Sequence, residues 1–430
     1  MARVGIVSLG CPKNTIDSES MLGILFSNGH SLVEESLAEV LLINTCTFIE
    51  DAQKESIKAI LGASAPQIIV TGCLAQRHKE ELLECMPEIS AVLGTGDLGR
   101  IHEAVERVLN GERFCLVGDG EFKETKAPRV LASVGPSTYL RIAEGCDRPC
   151  TFCIIPQLRG SYRSRGIDEI VGEAKFLGES GIREINLVAQ DTTLYGSDDK
   201  KLLLPELLER LNEVEGIEWI RLHYAYPNAV TQKLIEKMRD LSKVLPYLDI
   251  PLQHSHPEIL QAMKRPVEPI LELIGRLRSE IPGLVLRSTF IVGFPGEEER
   301  HFEHLANFLT EARLDHVGVF AFSPMTGTPA AKMKQLAKKT RNARRKGLME
   351  QQQKISLSLH EKLIGQSLSM LVEGIEESGR LVGRTYREAP EIDGSVFATS
   401  RIPVEPGRIL PIRIERVAPY DLFGSIEVAE

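Results

Sequence analysis

Short apolar runs alternate with amphipathic segments along most of this chain, and that alternation restricts the possible folds more than any other feature. In the first part of the chain, the apolar runs lie at residues 4–9, 40–43, 68–70 and 91–93. The segments between them have helical spacing, at residues 17–26, 52–61 and 76–85. Strands that alternate with helices form parallel sheets, so residues 1–118 are predicted to be an N-terminal α/β domain with a parallel sheet.

A second alternating series follows, and it predicts a separate central domain over residues 137–365. Its apolar runs lie at residues 139–142, 185–188, 219–223, 247–250, 285–292 and 317–322. Six such strand–helix units in about 190 residues suit a partial or complete (β/α) barrel. The domain is expected to end in a long helical pattern over residues 331–365.

The remaining segments differ in composition from both series. Residues 119–136 are polar and rich in Gly and Pro, which predicts a linker. From residue 366 to residue 430, short runs of Val, Ile and Leu, at 368–372 and 409–414, are separated by Gly and Pro. This pattern predicts a small all-β, OB-like barrel.

Composition limits the class of protein. A length of 430 residues, with 43% hydrophobic and 26% charged residues, indicates a folded chain of two to three domains at roughly 150 residues each. The net charge of −9 argues against a globally basic nucleic-acid binder. No apolar run approaches the length of a membrane span, and the N-terminus lacks a signal-peptide pattern. We therefore expect a cytoplasmic protein without a membrane partner.

Eight cysteines then need an explanation, because structural disulfides are rare in a reducing compartment. Cys146, Cys150 and Cys153 stand in GCDRPCTFC, a CxxxCxxC spacing that directly follows the first strand of the second series. Structural zinc usually takes a fourth Cys or His nearby. Three thiolates instead leave one metal position open, which on a four-iron cluster can bind a further ligand. We predict an iron–sulfur cluster here, with zinc as the alternative.

Three other cysteines are distant in sequence but occupy equivalent places. Cys11, Cys46 and Cys73 each follow a predicted strand by one to three residues. Because the carboxyl ends of parallel strands share one edge, these thiols are expected to meet and form a second three-thiolate site. The alternative is three separate buried thiols. Cys85, in a helical pattern, and Cys115, in an apolar run, are predicted to be core residues.

Sequence motifs spread over the whole chain support a more specific interpretation. They are SLGCPKNTIDSE, INTCTFIEDAQKESI, VTGCLAQR, EGCDRPCTFCIIPQLRGSYRSR, LVAQDTTLYG, LDIPLQHS, MKRP and STFIVGFPGE. With these motifs the chain resembles the methylthiotransferases of the radical S-adenosylmethionine (SAM) superfamily. The resemblance implies a radical SAM domain at 137–365, an auxiliary cluster in the N-terminal domain and a TRAM domain at 366–430.

The resemblance also implies the cofactors and the chemistry. One [4Fe-4S] cluster, on Cys146, Cys150 and Cys153, would reduce SAM to release a 5′-deoxyadenosyl radical. A second, on Cys11, Cys46 and Cys73, would present a sulfur that another SAM molecule methylates. Radical chemistry suits the unactivated C–H bond that such enzymes attack. An electron donor and a sulfur donor are implied as partners.

The resemblance further marks residues that would contact SAM. Phe152 occupies the aromatic position within the cluster motif, and Gln190 and Asp191 follow the second barrel strand. The remaining candidates are Gln253, after the fourth strand, and Ile291, Gly293 and Pro295 in FIVGFPG. Their expected place at the carboxyl ends of barrel strands agrees with this role. Gly293 alone is equally consistent with a turn.

Two branches of the family differ in substrate. CPKN, CIIPQLRG, HYAYP, PEIDG and DLFG resemble the branch that modifies the β-carbon of an aspartyl residue in small-subunit ribosomal protein S-twelve, whereas the tRNA-modifying enzymes usually read CQMN. Residues 366–430 carry seven arginines, no lysine and eleven acids, a net charge of −4. Such a domain should repel tRNA and suit a basic protein. A tRNA (adenosine) methylthiotransferase remains the alternative, and a non-catalytic cluster or zinc protein is a third.

Two local features stay open at this point. Eight basic residues and no acid lie between Lys332 and Lys346, which predicts mainly a solvated helix face. Contact with ribosomal RNA or with the acidic tail is the alternative. His254 and His256, beside Gln253, allow a paired zinc site as a minor alternative.

Overall fold

A computed structural model describes residues 1–120, 129–131 and 135–427. Its strands are β1 Arg3–Ser8, β2 Ser31–Leu32, β3 Val40–Thr45, β4 Gln67–Gly72, β5 Ala91–Leu93, β6 Phe114–Leu116, β7 Ser137–Arg141, β8 Ala143–Glu144, β9 Arg163–Ser164, β10 Glu184–Val188, β11 Trp219–Leu222, β12 Val244–Asp249, β13 Val285–Val292, β14 His316–Ala321, β15 Ser367–Ile375, β16 Leu381–Thr385, β17 Val396–Thr399, β18 Ile409–Val417 and β19 Leu422–Ile426. Its α-helices are α1 Pro12–Ser27, α2 Glu50–Gly62, α3 Cys73–His78, α4 Glu80–Cys85, α5 Ile101–Leu109, α6 Ile155–Arg159, α7 Ile167–Glu179, α8 Leu204–Asn212, α9 Gln232–Asp240, α10 Pro257–Ala262, α11 Ile270–Glu280, α12 Glu299–Ala312 and α13 Lys338–His360.

The described residues divide into two compact units. The first contains the described part of residues 1–134 together with residues 143–163 and 325–328, and the second contains the other described residues. Most of the predicted linker, at 121–128 and 132–134, lies outside the described residues. Within the part of the chain that the structure describes, no helix is both long and apolar enough to span a membrane.

The first unit is built on a six-stranded, all-parallel sheet in the order β2-β1-β3-β4-β5-β6. Every residue of β3 is buried, because helices cover both faces of the sheet. Val40 and Leu42 face a core formed with α1 and α5, whereas Leu41 and Ile43 face the opposite core. This alternation along one strand is the expected packing of a parallel sheet in an α/β layer. The predicted parallel α/β fold is confirmed.

The second unit contains another parallel sheet, in the order β7-β10-β11-β12-β13-β14. Among the described strands β7 and β14 do not pair, so the sheet forms a partial rather than a complete barrel. Strands β15 to β19 close into a five-stranded barrel in the order β15-β16-β17-β19-β18. Both the partial (β/α) barrel and the small C-terminal all-β barrel were predicted, and both are confirmed.

The loop between β16 and β17, residues 386–395, joins the C-terminal barrel to the amino end of the central sheet. Glu184, the first residue of β10, forms a fully buried ion pair with Arg221 and another with Arg384. The Tyr247 hydroxyl donates to Asp393 at 2.7 Å, and His316 Nε2 lies 2.8 Å from the Arg387 carbonyl oxygen. Leu371 of β15 and Ala389 of this loop also pack in one apolar cluster with Tyr247 and Val285, so the two barrels share part of their core.

Several local expectations differ from the structure. Strands β2 and β6 were not predicted; they are only two and three residues long. The helix expected over 76–85 is broken at Lys79, whose φ of 47° ends α3 before α4 begins. Cys85, expected in the core, is exposed at the end of α4, so that prediction was wrong. Cys115 is half-buried in β6, against the core that contains Leu41.

The basic segment is also less solvated than predicted. Its helix, α13, begins at Lys338 rather than near residue 331. Arg344 is buried, and its guanidinium donates to the Glu297 carboxylate at 2.6 Å and to the Glu299 carboxylate at 2.8 Å. The Arg341 guanidinium donates to the Phe322 carbonyl oxygen. One side of α13 therefore packs against the rest of the second unit, and only the other side of the helix is a solvated face.

Candidate active site

Three cysteines gather at the carboxyl ends of neighbouring strands in the first unit. Cys11 follows β1, Cys46 follows β3 and Cys73 follows β4, and these strands are adjacent in the sheet. Gly10, at φ 100°, allows the chain before Cys11 to pass close to Cys46. A Cβ added at Gly10 would lie 2.7 Å from Cys46 Cβ and 3.0 Å from Cys46 Sγ. A residue with a side chain would therefore displace Cys46.

The environment of these thiols favours a bound cation. The Ser56 hydroxyl accepts a hydrogen bond from the Cys46 backbone N–H at 3.0 Å and donates to its carbonyl oxygen at 2.9 Å. Burial raises the pKa of Cys46, and burial raises the pKa of Cys73 to about 11. Negative charge on Cys11 or Cys46 would further raise the pKa of Cys73. A metal centre would supply the compensating positive charge, so this donor set fits a thiolate-bound metal.

A buried arginine lies beside this cysteine set. The Arg159 guanidinium donates to Asp17 at 2.7 Å and to Asn14 at 2.8 Å, with a second carboxylate, Glu144, at 3.4 Å. Its Nη2 is 3.8 Å from Cys73 Sγ. Although burial alone would lower the pKa of Arg159, the two carboxylates hold it well above its usual range. Arg159 is thus a permanent cation at the edge of the thiol site.

The second cysteine set stands in the loop that ends at α6, within the same unit. The Cys153 N–H donates to the Cys150 carbonyl oxygen at 3.2 Å, and the Cys146 N–H donates to the Gly160 carbonyl oxygen at 3.1 Å. Burial raises the pKa of Cys153 to about 12, with further contributions from the other two thiols of the set. Ile154, next to Cys153, packs in one apolar cluster with Cys73 of the first set. This donor set also fits a thiolate-bound metal.

The remaining predicted residues are spread over both units. Phe152 lies half-buried in the cysteine loop of the first unit. In the second unit, Gln190 and Asp191 lie two and three residues after the end of β10. Asp191 is buried and accepts a hydrogen bond from the Thr193 hydroxyl at 2.5 Å. The rest of the predicted set lies on or after β12 and β13 and comprises Gln253, Ile291, Gly293 and Pro295.

The backbone at this carboxyl edge is unusual. Gln253 has φ 72°, a left-handed conformation that is costly for a residue with a side chain. Two backbone hydrogen bonds hold Gln253 to β13. Its N–H donates to the Thr289 carbonyl oxygen at 2.8 Å, and its carbonyl oxygen accepts from the Ile291 N–H at 2.7 Å. Gly293, at φ 72°, donates its N–H to the Glu297 carboxylate at 2.8 and 2.9 Å. Gly293 therefore lies in a turn, whereas Gln253 is a residue with a side chain in a strained, left-handed backbone conformation.

A group of histidines near Gln253 bears on the zinc alternative. Its members are His254, His256, His301 and His304. The Nδ1 of His256 accepts the Glu258 N–H at 3.2 Å, and the Nδ1 of His301 accepts the Glu298 N–H at 2.9 Å. Each bond occupies the Nδ1 of its histidine, so that nitrogen is not free to bind a metal. Both histidines cap helices, which favours a structural role over zinc binding.

Acidification is expected to destabilise the second unit below a pH of about 6.5. Burial lowers the pKa of His223, His254 and His360. The unfolded chain then binds protons that the folded chain does not, so the free energy of unfolding decreases as the pH falls through this range. Each histidine contributes at most about 1.4 kcal/mol per pH unit. Urea titrations at several pH values would measure the effect.

A matched pair of variants tests the cause of this acid sensitivity. His254→Gln should reduce the pH dependence, whereas His304→Gln, at an exposed position of the same group, should leave it largely unchanged. A urea midpoint for the parent that stays constant or rises on acidification would contradict the assignment.

Sequence reasoning missed the residues that support the cysteines. Asn14, Asp17 and Arg159 all lie inside the conspicuous motifs, CPKNTID and CIIPQLRG, but their partners are far away in sequence. The available signal was an arginine in an apolar stretch, which is rarely buried without an acidic partner.

Comparison with known proteins agrees with this arrangement. Models of three families match: the Radical SAM superfamily over residues 140–309, the Uncharacterized protein family UPF0004 over residues 3–94 and the TRAM domain over residues 364–426. Among solved structures, the radical S-adenosylmethionine methyltransferase TsrM from Kitasatospora setae has a TM-score of 0.58 at 13% identity, over 77% of this chain and 75% of that chain. At this identity the likeness concerns the fold alone.

Full-length relatives are more informative. Proteins named ribosomal protein uS12 methylthiotransferase RimO are 45% identical in Thermoanaerobacter sp., over 99% of this chain and all of the relative, and 44% identical in Lachnoclostridium phytofermentans, with the same coverage. The relative of that name from Crocosphaera subtropica is 46% identical over 98% of both chains.

The fold, the cysteine sets and the family matches define a radical SAM enzyme that transfers a sulfur-containing group. Its cofactors include SAM and an iron–sulfur cluster, as in the rest of that superfamily. Because the identity extends over the full length of both chains, the chain belongs to the family of RimO-type ribosomal protein methylthiotransferases.

Proposed function

We propose that this enzyme adds a methylthio group to the β-carbon of an aspartyl residue in uS12, the small-subunit ribosomal protein S-twelve. Relatives that bear the name of this activity match the whole chain. The observation that carries the proposal is the convergence of Cys11, Cys46 and Cys73 on adjacent strand ends. A radical SAM enzyme needs one cysteine set to cleave SAM, and a second set offers a place for the sulfur that is transferred.

In this proposal two [4Fe-4S] clusters share the first unit. Cys146, Cys150 and Cys153 would hold the cluster that binds SAM, and the strand-end cysteines would hold the auxiliary cluster. When bound, the clusters and SAM supply the electron, the radical and the methylthio group that the reaction needs. Backbone hydrogen bonds within the cysteine loop position Cys146 and Cys153, and the Ser56 hydroxyl positions Cys46.

The protein's other residues would bind and orient SAM. Gln253 is the strongest candidate, because its strained backbone is held by β13 at the carboxyl edge. Gln190, Asp191 and Ile291 share that edge, and Phe152 stands within the cysteine loop. For Gly293 and the buried Pro295 we propose a supporting role, since the turn they form shapes the same edge.

The proposal requires partners beyond the substrate. An electron donor must reduce the cluster that binds SAM, and a sulfur donor must rebuild the auxiliary site after each transfer. We propose a cytoplasmic reaction, which a ribosomal protein substrate supports.

Loss of the gene is expected to remove one methylthio group from uS12, a mass decrease of about 46 Da. Intact-mass measurement of ribosomal proteins from deletion and complemented strains gives the readout.

Purified enzyme should contain about eight irons per chain, with matching acid-labile sulfide. An unchanged uS12 together with altered tRNA nucleosides would favour the tRNA alternative, and one zinc without sulfide would exclude both enzyme functions.

A further inference from the structure

The exposed side of α13 carries a row of cations that the fold does not use. We call it the basic face, and define it as Lys338, Lys339, Asn342, Arg345 and Lys346, all of which are exposed. These residues lie three or four positions apart, so they follow one side of the helix. They are separate from Arg341 and Arg344, which attach the opposite side to the second unit.

The charges of the basic face are largely unneutralised. Lys338, Lys339 and Arg345 form no ion pair with any residue that the structure describes. Lys346 lies 3.7 Å from Glu350 in an exposed pair, which is worth little in water. Among the described residues, none of these cations contacts an acid of the C-terminal barrel, so the acidic tail is not their partner within the chain. A concentrated positive patch in a chain of net charge −9 points to an external anion.

A groove beside the basic face adds an aromatic ring to the cations. It has a volume of about 400 Å³ and is lined by Asn342, Arg345, Lys346, Met349, Glu350, Gln353 and Tyr420. Tyr420 comes from the C-terminal barrel and is 39% exposed. Cations that contact phosphates, amides that hydrogen-bond and an exposed ring that stacks on bases are the combination found in proteins that bind single-stranded nucleic acid.

We propose that the basic face and its groove bind a single-stranded segment of RNA, with Arg345 and Lys346 on phosphates and Tyr420 stacked on a base. The inference extends the proposed function, because a ribosomal protein substrate is presented next to ribosomal RNA. The overall negative charge of the chain would otherwise repel that RNA, and a local basic groove overcomes the repulsion at one place. An acidic polypeptide is the competing partner, but it gives Tyr420 no base on which to stack.

The test uses the full-length protein and a fluorescent oligouridine of about 12 nucleotides, with affinity measured between about 50 and 200 mM salt. Arg345→Ala with Lys346→Ala should weaken binding about tenfold or more at the low salt concentration, and should reduce the slope of log affinity against log salt by about 1.4. The matched control removes two adjacent exposed lysines of the same unit, Lys200→Ala with Lys201→Ala, and should bind like the parent.

Tyrosine variants test the stacking contact separately. Tyr420→Phe should keep the parental affinity because it keeps the ring, whereas Tyr420→Ala should lose about tenfold. Equal binding by the Arg345/Lys346 and Lys200/Lys201 double variants would overturn the proposal. So would tighter binding of poly-L-glutamate than of oligouridine, which would assign the surface to an acidic protein. RNA binding is measured without SAM or turnover, so failure of the proposed methylthiotransferase activity would appear in the uS12 mass and not in this assay.

Discussion

Cys150→Ala is expected to abolish SAM cleavage, whereas Cys73→Ala should retain SAM cleavage and lose methylthio transfer. The two cysteines belong to different sets: Cys150 lies in the loop before α6, and Cys73 lies at the end of β4. Removing one of three thiolates from either set eliminates that metal site, because no cluster is stably held by the two that remain. Chromatography of 5′-deoxyadenosine and mass measurement of a uS12 substrate separate the two activities.

Cys85→Ala is the control for these variants. Cys85 is exposed at the end of α4 and is in neither cysteine set, so both activities should remain at the parental level. Continued formation of 5′-deoxyadenosine by Cys150→Ala would refute its role. Methylthio transfer by Cys73→Ala at the parental rate would refute the auxiliary site, while leaving the assignment of Cys150 intact.

Arg159→Met is expected to lower the free energy of unfolding by about 3–5 kcal/mol, because it removes a buried guanidinium that pairs with two buried carboxylates. Asp17 and Glu144 are 1% and 3% exposed in their side chains, and Arg159 is 2% exposed. Urea denaturation of the full-length protein prepared without iron measures this effect free of any loss of cluster. Arg159→Lys should recover part of the stability because it restores the charge.

Arg100→Met provides the comparison for a surface ion pair. Arg100 bonds to Glu103 at 2.8 Å in the same unit, but both side chains are more than two-fifths exposed. Solvent screens such a pair, and its removal should cost at most about 1 kcal/mol. If Arg159→Met were no more destabilising than Arg100→Met, the buried ion cluster would not be an important element of the thiol site.

The arrangement of the strand-end cysteines could be predicted because it depends only on local patterns. Apolar runs locate the strands, and a parallel sheet brings the ends of its strands to one edge, so Cys11, Cys46 and Cys73 were expected together. Gln190, Gln253 and Ile291 were chosen by the family resemblance, and the same argument supported their place at one edge of the central sheet.

The supporting contacts could not be predicted because they depend on pairings between distant residues. Arg159 and Asp17 are 142 positions apart, and Arg384 and Glu184 are 200 positions apart. Hydrophobic periodicity carries no information about which acidic side chain pairs with which basic one. The prediction for Cys85 treated residues 76–85 as one helix, but the structure breaks that helix at Lys79, and Leu82 is the buried residue of α4.

The buried ion pairs of Glu184, with Arg221 of β11 and Arg384 of β16, imply that the C-terminal barrel also shields the central sheet from solvent. Arg384 of β16 and the β16–β17 loop contact the central sheet at Glu184, Tyr247 and His316, away from the edge where Gln253 and Ile291 lie. Solvent is thereby kept from entering the sheet from behind, where it would reach Arg221 and Tyr247. A natural or engineered chain that ended before residue 366 would lose Arg384 and Asp393, the buried partners of Glu184 and Tyr247.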